Sequence, residues 1–134
     1  MISSNAFCQT QFEMNQQSGN SFEKADKELN EIYKKILFEY KSDIAFIKNI
    51  KASQRIWITF RDAELKMKLP ERKPGWYGSM HPMCVSGYLE KLTRDRIKTL
   101  KEWLQGVEEG EGCGGSIKGK LENNVSFKSS SILN

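Results

Sequence analysis

The sequence predicts a small all-α protein: a bundle of three long helices plus a short N-terminal helix, followed by a flexible C-terminal tail. Apolar residues recur every three or four positions in three separate segments, which is the period of an amphipathic helix. The 134 residues are enough for one buried core. We therefore expect residues 1–7 to be a flexible N-terminus, 8–109 to be the helical domain and 110–134 to be the tail.

The first long helix is expected to begin near Asn20, because Glu23 three positions later completes a capping box. Ser42 and Asp43 should end this helix and cap the next one. The short N-terminal helix is expected to run separately, from about Cys8 to Gln17. The core-facing stripe of the first long helix consists of Phe22, Ala25, Leu29, Ile32, Ile36 and Tyr40.

The second long helix should end before Pro70, because proline disfavours helical geometry at the residue before it. The third should begin near Pro82, a residue suited to the first turn, and end around Gly106. The segment 70–80 between them holds two prolines and two glycines and is predicted to be a loop. The stripes of these helices are Ile47, Ile50, Gln54, Trp57, Arg61 and Leu65, and Val85, Leu89, Leu92, Arg96, Leu100 and Trp103.

The charge distribution argues against a nucleic-acid partner. The net charge is +4, but residues 22–65 carry nine basic and eight acidic side chains, and residues 90–109 carry five of each. The basic excess lies in residues 66–73 and in the tail, whereas a nucleic-acid binder concentrates it on one folded face with aromatic residues between. No segment has the ~20 consecutive apolar residues of a membrane span.

Residues that could carry catalysis are sparse, so we predict that the protein is not an enzyme and holds no cofactor or metal. The single histidine, His81, lies beside a proline at a loop-to-helix junction, where a turn or capping role is expected. Cys8, Cys84 and Cys113 lie far apart, and no second histidine or cysteine stands at metal-ligand spacing. The glycines around Cys113 do not form a phosphate-binding loop.

Polar residues interrupt the apolar stripes of all three helices. A guanidinium on a core-facing stripe must be paired, because burial of an unpaired charge is strongly unfavourable. The expected partners of Arg61 and Arg96 are Asp26, Asp62 and Gln54. We interpret the set as an internal network that fixes helix register, with direct contact to a partner as the alternative. It comprises Asp26, Asn30, Tyr33, Gln54, Trp57, Arg61, Asp62, Thr93 and Arg96.

The loop 70–80 is the candidate partner-binding surface. Trp76 and Tyr77 are adjacent aromatic residues beside glycines, and aromatic and arginine side chains dominate interface hot spots. Lys68, Arg72 and Lys73 would give this surface a basic rim. The alternative is that Trp76 folds back and covers the helix ends.

Several segments together resemble the LprI-like family. Residues 26–33 match D-x-x-L-N-x-x-Y, residues 54–62 match Q-x-x-W-x-x-x-R-D, residues 92–96 match L-T-x-x-R, and residues 13–15 match an upstream E-M-N. The order and spacing are those of the family, over roughly residues 8–105. The resemblance implies an exported, helical, cysteine-bearing protein. It also implies an inhibitor-like binding role, since the family's namesake inhibits lysozyme.

The cysteines depart from the family pattern. Cys8 matches a family cysteine, so the resemblance implies a disulfide at Cys8. Cys84 lies one helical turn before another family position and is the expected partner, with Cys84–Cys113 as the rival pairing. One of three thiols is left over in either case. The family positions without a cysteine here are occupied by Gln17, Leu65 and Tyr88.

The expected location is periplasmic or secreted. Residues 1–7 lack the features of a signal peptide, and Ser4-Asn5-Ala6 resembles a remnant of cloning, which implies that a leader was removed; a cytosolic protein that begins at Met1 is the alternative. The expected partner is a protein, either a lysozyme or another cell-wall hydrolase. The alternative is an immunity or envelope-stress protein that binds another partner such as a toxin. The basic loop favours an acidic partner, whereas familiar lysozymes are basic.

Overall fold

Three long helices make up most of the protein. The computed structural model describes residues 10–120, and within them lie α1 (Gln11–Glu39), α2 (Ile44–Lys68) and α3 (His81–Gln105). The described part of the chain contains one isolated β-bridge, between Val107 and Gly119, and no strand. The all-α prediction is confirmed. None of the described helices combines the length and apolar character needed to cross a bilayer.

The helices run up, down and up, so that α1 and α3 are parallel. Near their N-terminal ends the Ser18 hydroxyl donates to the Met83 carbonyl at 3.1 Å, and near their C-terminal ends the Tyr40 hydroxyl donates to the Trp103 carbonyl at 2.8 Å. The α2 helix runs in the opposite direction, since Phe46 near its start stacks on Trp103 near the end of α3, with ring centres 6.1 Å apart. The α3 helix packs mainly against α1 and much less against α2.

The core lies along the predicted stripe of α1. Five residues of that stripe are buried, and they meet two buried residues from each of the other helices. Burial of each large apolar side chain contributes about 1.5–3 kcal/mol, so this stripe is the main apolar contribution to folding. The buried apolar residues are Ala25, Leu29, Ile32, Ile36, Tyr40, Phe46, Ile50, Ile97 and Leu100.

The α1 helix is continuous, so the predicted short N-terminal helix and the predicted start at Asn20 were wrong. The N-cap is Thr10, whose Oγ1 accepts a hydrogen bond from the Glu13 amide at 3.2 Å. Asn20 is an exposed residue inside the helix. A glycine inside a helix costs about 1 kcal/mol relative to alanine. Gly19 lies opposite Ser86 of α3, and the helix continues through it because α1 packs against α3 on this side, as the bond from Ser18 to the Met83 carbonyl shows.

The other predicted helix boundaries are confirmed. Asp43 caps α2, and its Oδ1 accepts from the Phe46 amide at 3.0 Å. The α2 helix ends two residues before Pro70, and Pro82 lies in the first turn of α3. Gly106 ends α3 with a φ of 77°, which a residue with a side chain rarely adopts.

The chain after α3 folds back onto the end of the bundle. The Lys118 amide donates to the Tyr40 hydroxyl at 3.0 Å, and the Lys118 ammonium donates to the Glu39 carbonyl at 2.7 Å. The Trp103 indole donates to the Ser116 hydroxyl at 3.0 Å. The first part of the segment predicted as a flexible tail is therefore tied to the bundle at Ser116 and Lys118, and residues 121–134 lie outside the described part of the chain.

Replacing Gly19 by alanine should raise the free energy of unfolding by about 0.5–1 kcal/mol, because alanine is the better helix former. The added Cβ would meet the Ser86 hydroxyl at 3.9 Å, an ordinary contact. Urea denaturation of Gly19→Ala measures the change. Gly78→Ala is the control and should lower stability, since Gly78 has a φ of 71°. Destabilisation by Gly19→Ala would contradict the ordinary contact with Ser86 and show that the approach of α1 to α3 requires glycine here.

Replacing Tyr40 by phenylalanine should lower the free energy of unfolding by about 1–3 kcal/mol, because it leaves the Lys118 amide without its acceptor. Hydrogen exchange at the Lys118 amide should accelerate at the same time. Tyr33→Phe is the matched control, since the Tyr33 side chain has no hydrogen bond to any described residue. Unchanged exchange at Lys118 in Tyr40→Phe would contradict the tether.

Candidate functional site

The loop between α2 and α3, residues 69–80, has a fixed shape and is called the Trp76 loop below. The Tyr77 hydroxyl donates to the Pro70 carbonyl at 2.6 Å and so closes the loop across its base. The Tyr77 ring stacks on the His81 ring with centres 4.6 Å apart and an angle of 13° between the planes. The Trp76 amide donates to the Lys73 carbonyl at 3.0 Å and forms a turn at the tip.

Trp76 is presented to solvent at the tip of this loop. Its side chain is 67% exposed, so the alternative in which it covers the helix ends does not occur. The Arg72 guanidinium lies 5.9 Å from the centre of the Trp76 ring, where a cation interacts favourably with the aromatic face. Arg72 and Lys73 line a shallow hollow beside Trp76 together with Glu71.

Tyr77 and Lys68, the other two residues of the predicted binding surface, contact residues of the protein itself. Tyr77 is half-buried, and its hydroxyl and ring are both used to hold the loop. The Lys68 ammonium lies 5.3 Å from the centre of the Tyr88 ring in α3, so it turns away from Trp76. The exposed surface is therefore formed by Arg72, Lys73 and Trp76.

Arg61 is paired as the sequence analysis expected. Its Nη2 lies 3.0 Å from the Asp62 carboxylate and its Nη1 lies 3.8 Å from the Asp26 carboxylate, which links α2 to α1. The guanidinium also lies 5.5 Å from the centre of the Trp57 ring. The Asp26 and Asp62 side chains are about half exposed, so each ion pair contributes less than a buried pair would.

Arg96 has only neutral partners among the described residues. Its Nε donates to the Gln54 amide oxygen at 3.0 Å, and its Nη2 donates to the Ser53 hydroxyl at 3.0 Å. The guanidinium lies 6.0 Å from the centre of the Trp57 ring. Partial burial lowers the pKa of Arg96 from its ordinary value, because the charged form loses solvation. Gln54 was an expected partner, whereas Ser53, which lies beside the predicted stripe, was not.

The remaining members of the predicted polar set lie outside these two centres. Asn30 is exposed, and Tyr33 packs at the edge of the core. Thr93 is fully buried, and its hydroxyl has no hydrogen-bond partner in the described part of the chain. Both guanidinium groups lie near the Trp57 ring, at 5.5 Å and 6.0 Å from its centre.

Comparison with known protein families supports the resemblance that the motifs indicate. A family model described as lysozyme inhibitor LprI matches residues 3–100, most of the chain. The chain belongs to the LprI family. An uncharacterized protein of Rhizobium meliloti (strain 1021) is similar, with 32% identity over 110 residues, which cover 74% of this chain and 77% of the relative. No solved structure was found to match.

Two of the family motifs contribute contacts between the helices of this LprI-family protein. The motif at 26–33 supplies buried Leu29 and the Asp26 that pairs with Arg61. The motif at 92–96 supplies buried Thr93 and the arginine that meets Gln54. Both motifs therefore lie where α1, α2 and α3 face one another, away from the Trp76 loop.

The rival disulfide Cys84–Cys113 is absent, and both thiols are free and exposed. Cys84 lies in the first turn of α3 and Cys113 follows its last turn, whereas the 25 residues of this helix extend about 37 Å. A disulfide requires Cα atoms within about 7 Å, so this pairing was wrong. Cys8 lies outside the described residues, and with it the pairing Cys8–Cys84.

Tyr88, at a position where the resemblance implied a cysteine, makes a polar contact between α2 and α3. Its hydroxyl donates to the Glu64 carboxylate at 3.3 Å. Desolvation and then the neighbouring Glu64 charge raise the pKa of Tyr88 above its ordinary value, because both disfavour the phenolate. Leu65, at the other family cysteine position of this region, follows Glu64 in α2.

Replacing Tyr77 by phenylalanine should lower the free energy of unfolding by about 1 kcal/mol, because the buried end of the loop loses its bond to the Pro70 carbonyl. Hydrogen exchange at the Trp76 and Gly78 amides should accelerate. Trp76→Ala is the control and should change stability by no more than about 0.5 kcal/mol, since its side chain is mostly exposed. Equal effects of the two variants would contradict the distinction between a loop-forming and a solvent-facing aromatic residue.

Proposed function

We propose that this protein is an exported inhibitor of a cell-wall-degrading enzyme of the lysozyme type and that it binds through the Trp76 loop. Membership of the LprI family supports the inhibitor role. The single observation that carries the choice of surface is the pairing of the 67% exposed Trp76 with Arg72 at the tip of a loop that Tyr77 closes. Exposure alone does not single out Trp76, since Phe38 is 68% exposed, but Phe38 lies in α1 and not on a closed loop.

The fixed shape of the loop supports tight binding. Association loses less conformational entropy when the contact residues are already ordered. Tyr77 holds the loop in the free protein, so Trp76 and Arg72 are positioned before the partner arrives. Tryptophan and arginine are also the side chains that most often dominate interface energies.

The basic character of the loop fits the cleft of such an enzyme better than its outer surface. Glycoside hydrolases cleave their substrate with a pair of carboxyl groups, so the substrate cleft is acidic even where the enzyme as a whole is basic. Arg72 and Lys73 flank Trp76, and Glu71 is the one acidic side chain of the loop. An aromatic ring with two neighbouring cations is complementary to an apolar cleft that contains two carboxylates.

A second candidate is an immunity or envelope-stress protein that binds a different, acidic partner. The net charge of +4 favours it, because overall repulsion slows the encounter with a strongly basic enzyme. Protection assays separate the two candidates. An acidic partner would be bound tightly while no class of lysozyme is inhibited.

A turbidity assay of cell-wall lysis tests the inhibitor role. The intact protein at micromolar concentration should slow lysis by at least one lysozyme class. Trp76→Ala should weaken inhibition by about thirtyfold, the equivalent of the ~2 kcal/mol that marks an interface hot spot.

Phe38 provides a matched control for Trp76. It is 68% exposed and has the Lys41 ammonium 4.7 Å from the centre of its ring, but it lies at the opposite end of the bundle. Phe38→Ala should leave inhibition unchanged. Protection against no lysozyme class would overturn the inhibitor role, and equal losses in the two variants would overturn the assignment to the Trp76 loop.

A further inference from the structure

An open cleft lies between the first half of α2 and the second half of α3, at the opposite end of the bundle from the Trp76 loop. Its volume is about 410 Å³, within the range of small-molecule sites. The floor of the cleft is apolar and is formed by the outer edges of the core residues Phe46, Ile50 and Leu100, with half-buried Trp103 beside them. Arg96 lines the cleft at the end nearer the middle of the two helices.

Arg96 brings unused hydrogen-bond donors to this cleft. A guanidinium has five N–H groups, and in Arg96 one goes to Gln54 and one to Ser53. The other three, including both on Nη1, have no acceptor among the described residues, and no carboxylate there forms an ion pair with it. The group is half-buried, so much of its desolvation has already occurred on folding. A charge-assisted bond to an added carboxylate therefore gains more than it would on an exposed surface.

The distances set the shape of a ligand. Arg96 and Trp103 are two turns apart in α3, about 10 Å along the helix axis. A carboxylate bound at Arg96 would thus be followed by an apolar chain that runs past Leu100 and Ile50 toward Phe46 and Trp103. The polar rim of the cleft, at Asn49, Thr99 and Ser116, carries no charge.

The far end of the cleft disfavours a second negative charge. Asp43 lines that end, and its carboxylate already accepts from the Phe46 amide as the N-cap of α2. Asp43 is ten residues before Ser53, about 15 Å along α2. A dicarboxylate that reached both ends would meet this like charge, whereas an uncharged chain end would not.

We propose that this cleft is a binding site for a monocarboxylate with an apolar chain, held by Arg96 at its carboxylate. The site is separate from the Trp76 loop and does not depend on the proposed inhibitor role. Its elements are the guanidinium without a counter-ion, the hydroxyl of Ser53 beside it and the apolar floor that leads away from both.

Octanoate is the probe, and its neutral analogue octanamide is the chemical control. Calorimetric titration of the full chain should show octanoate binding in the millimolar range or tighter, and octanamide binding about tenfold weaker. In NMR spectra octanoate should shift the Ser53 amide and the Trp103 indole signal and leave Trp76 unaffected. Absence of octanoate binding, or equal binding of octanamide, would overturn the proposal.

A pair of substitutions at Ser53 tests the role of Arg96 without removing it. Ser53→Asp places a carboxylate beside Nη2, so it should supply the missing counter-ion, raise the melting temperature and weaken octanoate binding at least tenfold. Ser53→Asn has the same shape without the charge and should bind octanoate within about threefold of the unchanged protein. Equal binding by the two variants would exclude the guanidinium as the carboxylate site.

Arg96→Gln supplies the direct test, with Lys98→Gln as its control. Lys98 is an exposed cation two residues further along α3 that does not line the cleft. The first variant should lose octanoate binding at least tenfold and the second should keep it. If both variants lost binding equally, the effect would be one of net charge and the proposed site would be wrong.

Discussion

The close packing of α1 against α3 is the contact on which the rest of the structure depends. Ser18 and Gly19 of α1 face Ser86 and Gly87 of α3, and the Ser18 hydroxyl donates to the Met83 carbonyl at 3.1 Å. The apolar stripe of α1 then buries against Ile97 and Leu100 of α3, and the core forms between these two helices.

The α2 helix packs on the pair formed by α1 and α3. It contributes fewer buried apolar residues than α1, namely Phe46 and Ile50. The two arginines provide the polar link: Arg61 reaches Asp26 of α1, and Arg96 of α3 reaches Gln54. Trp57 lies against both guanidinium groups and so couples the links. The α2 helix packs loosely on α3, so a cleft remains between them. Arg96, which links α3 to α2, also lines that cleft.

The Trp76 loop lies apart from the core of this LprI-family protein. The motifs at 26–33 and 92–96 lie where the helices face one another, whereas Trp76 stands at the tip of a loop that Tyr77 and His81 hold in place. Substitutions at the loop tip are therefore expected to leave the core unchanged. The loop could be predicted from its turn residues and aromatic content. That Tyr77 holds the loop while Trp76 faces solvent could not be predicted, because it depends on contacts with Pro70 and His81.

The sequence by itself determined the helices, most of their boundaries and the core stripe of α1, because these depend on periodicity and on residues close in the chain. It failed at Asn20, where a local capping signal was overridden by the packing of the first part of α1 against α3, as at Ser18 and Met83. Only the tertiary structure decided that Arg61 reaches Asp26 whereas Arg96 has no carboxylate partner in the described residues, that Cys84 and Cys113 are both free, and that the Lys118 amide donates to Tyr40. Each of these depends on distances between segments far apart in sequence, and local patterns carry no information about such distances.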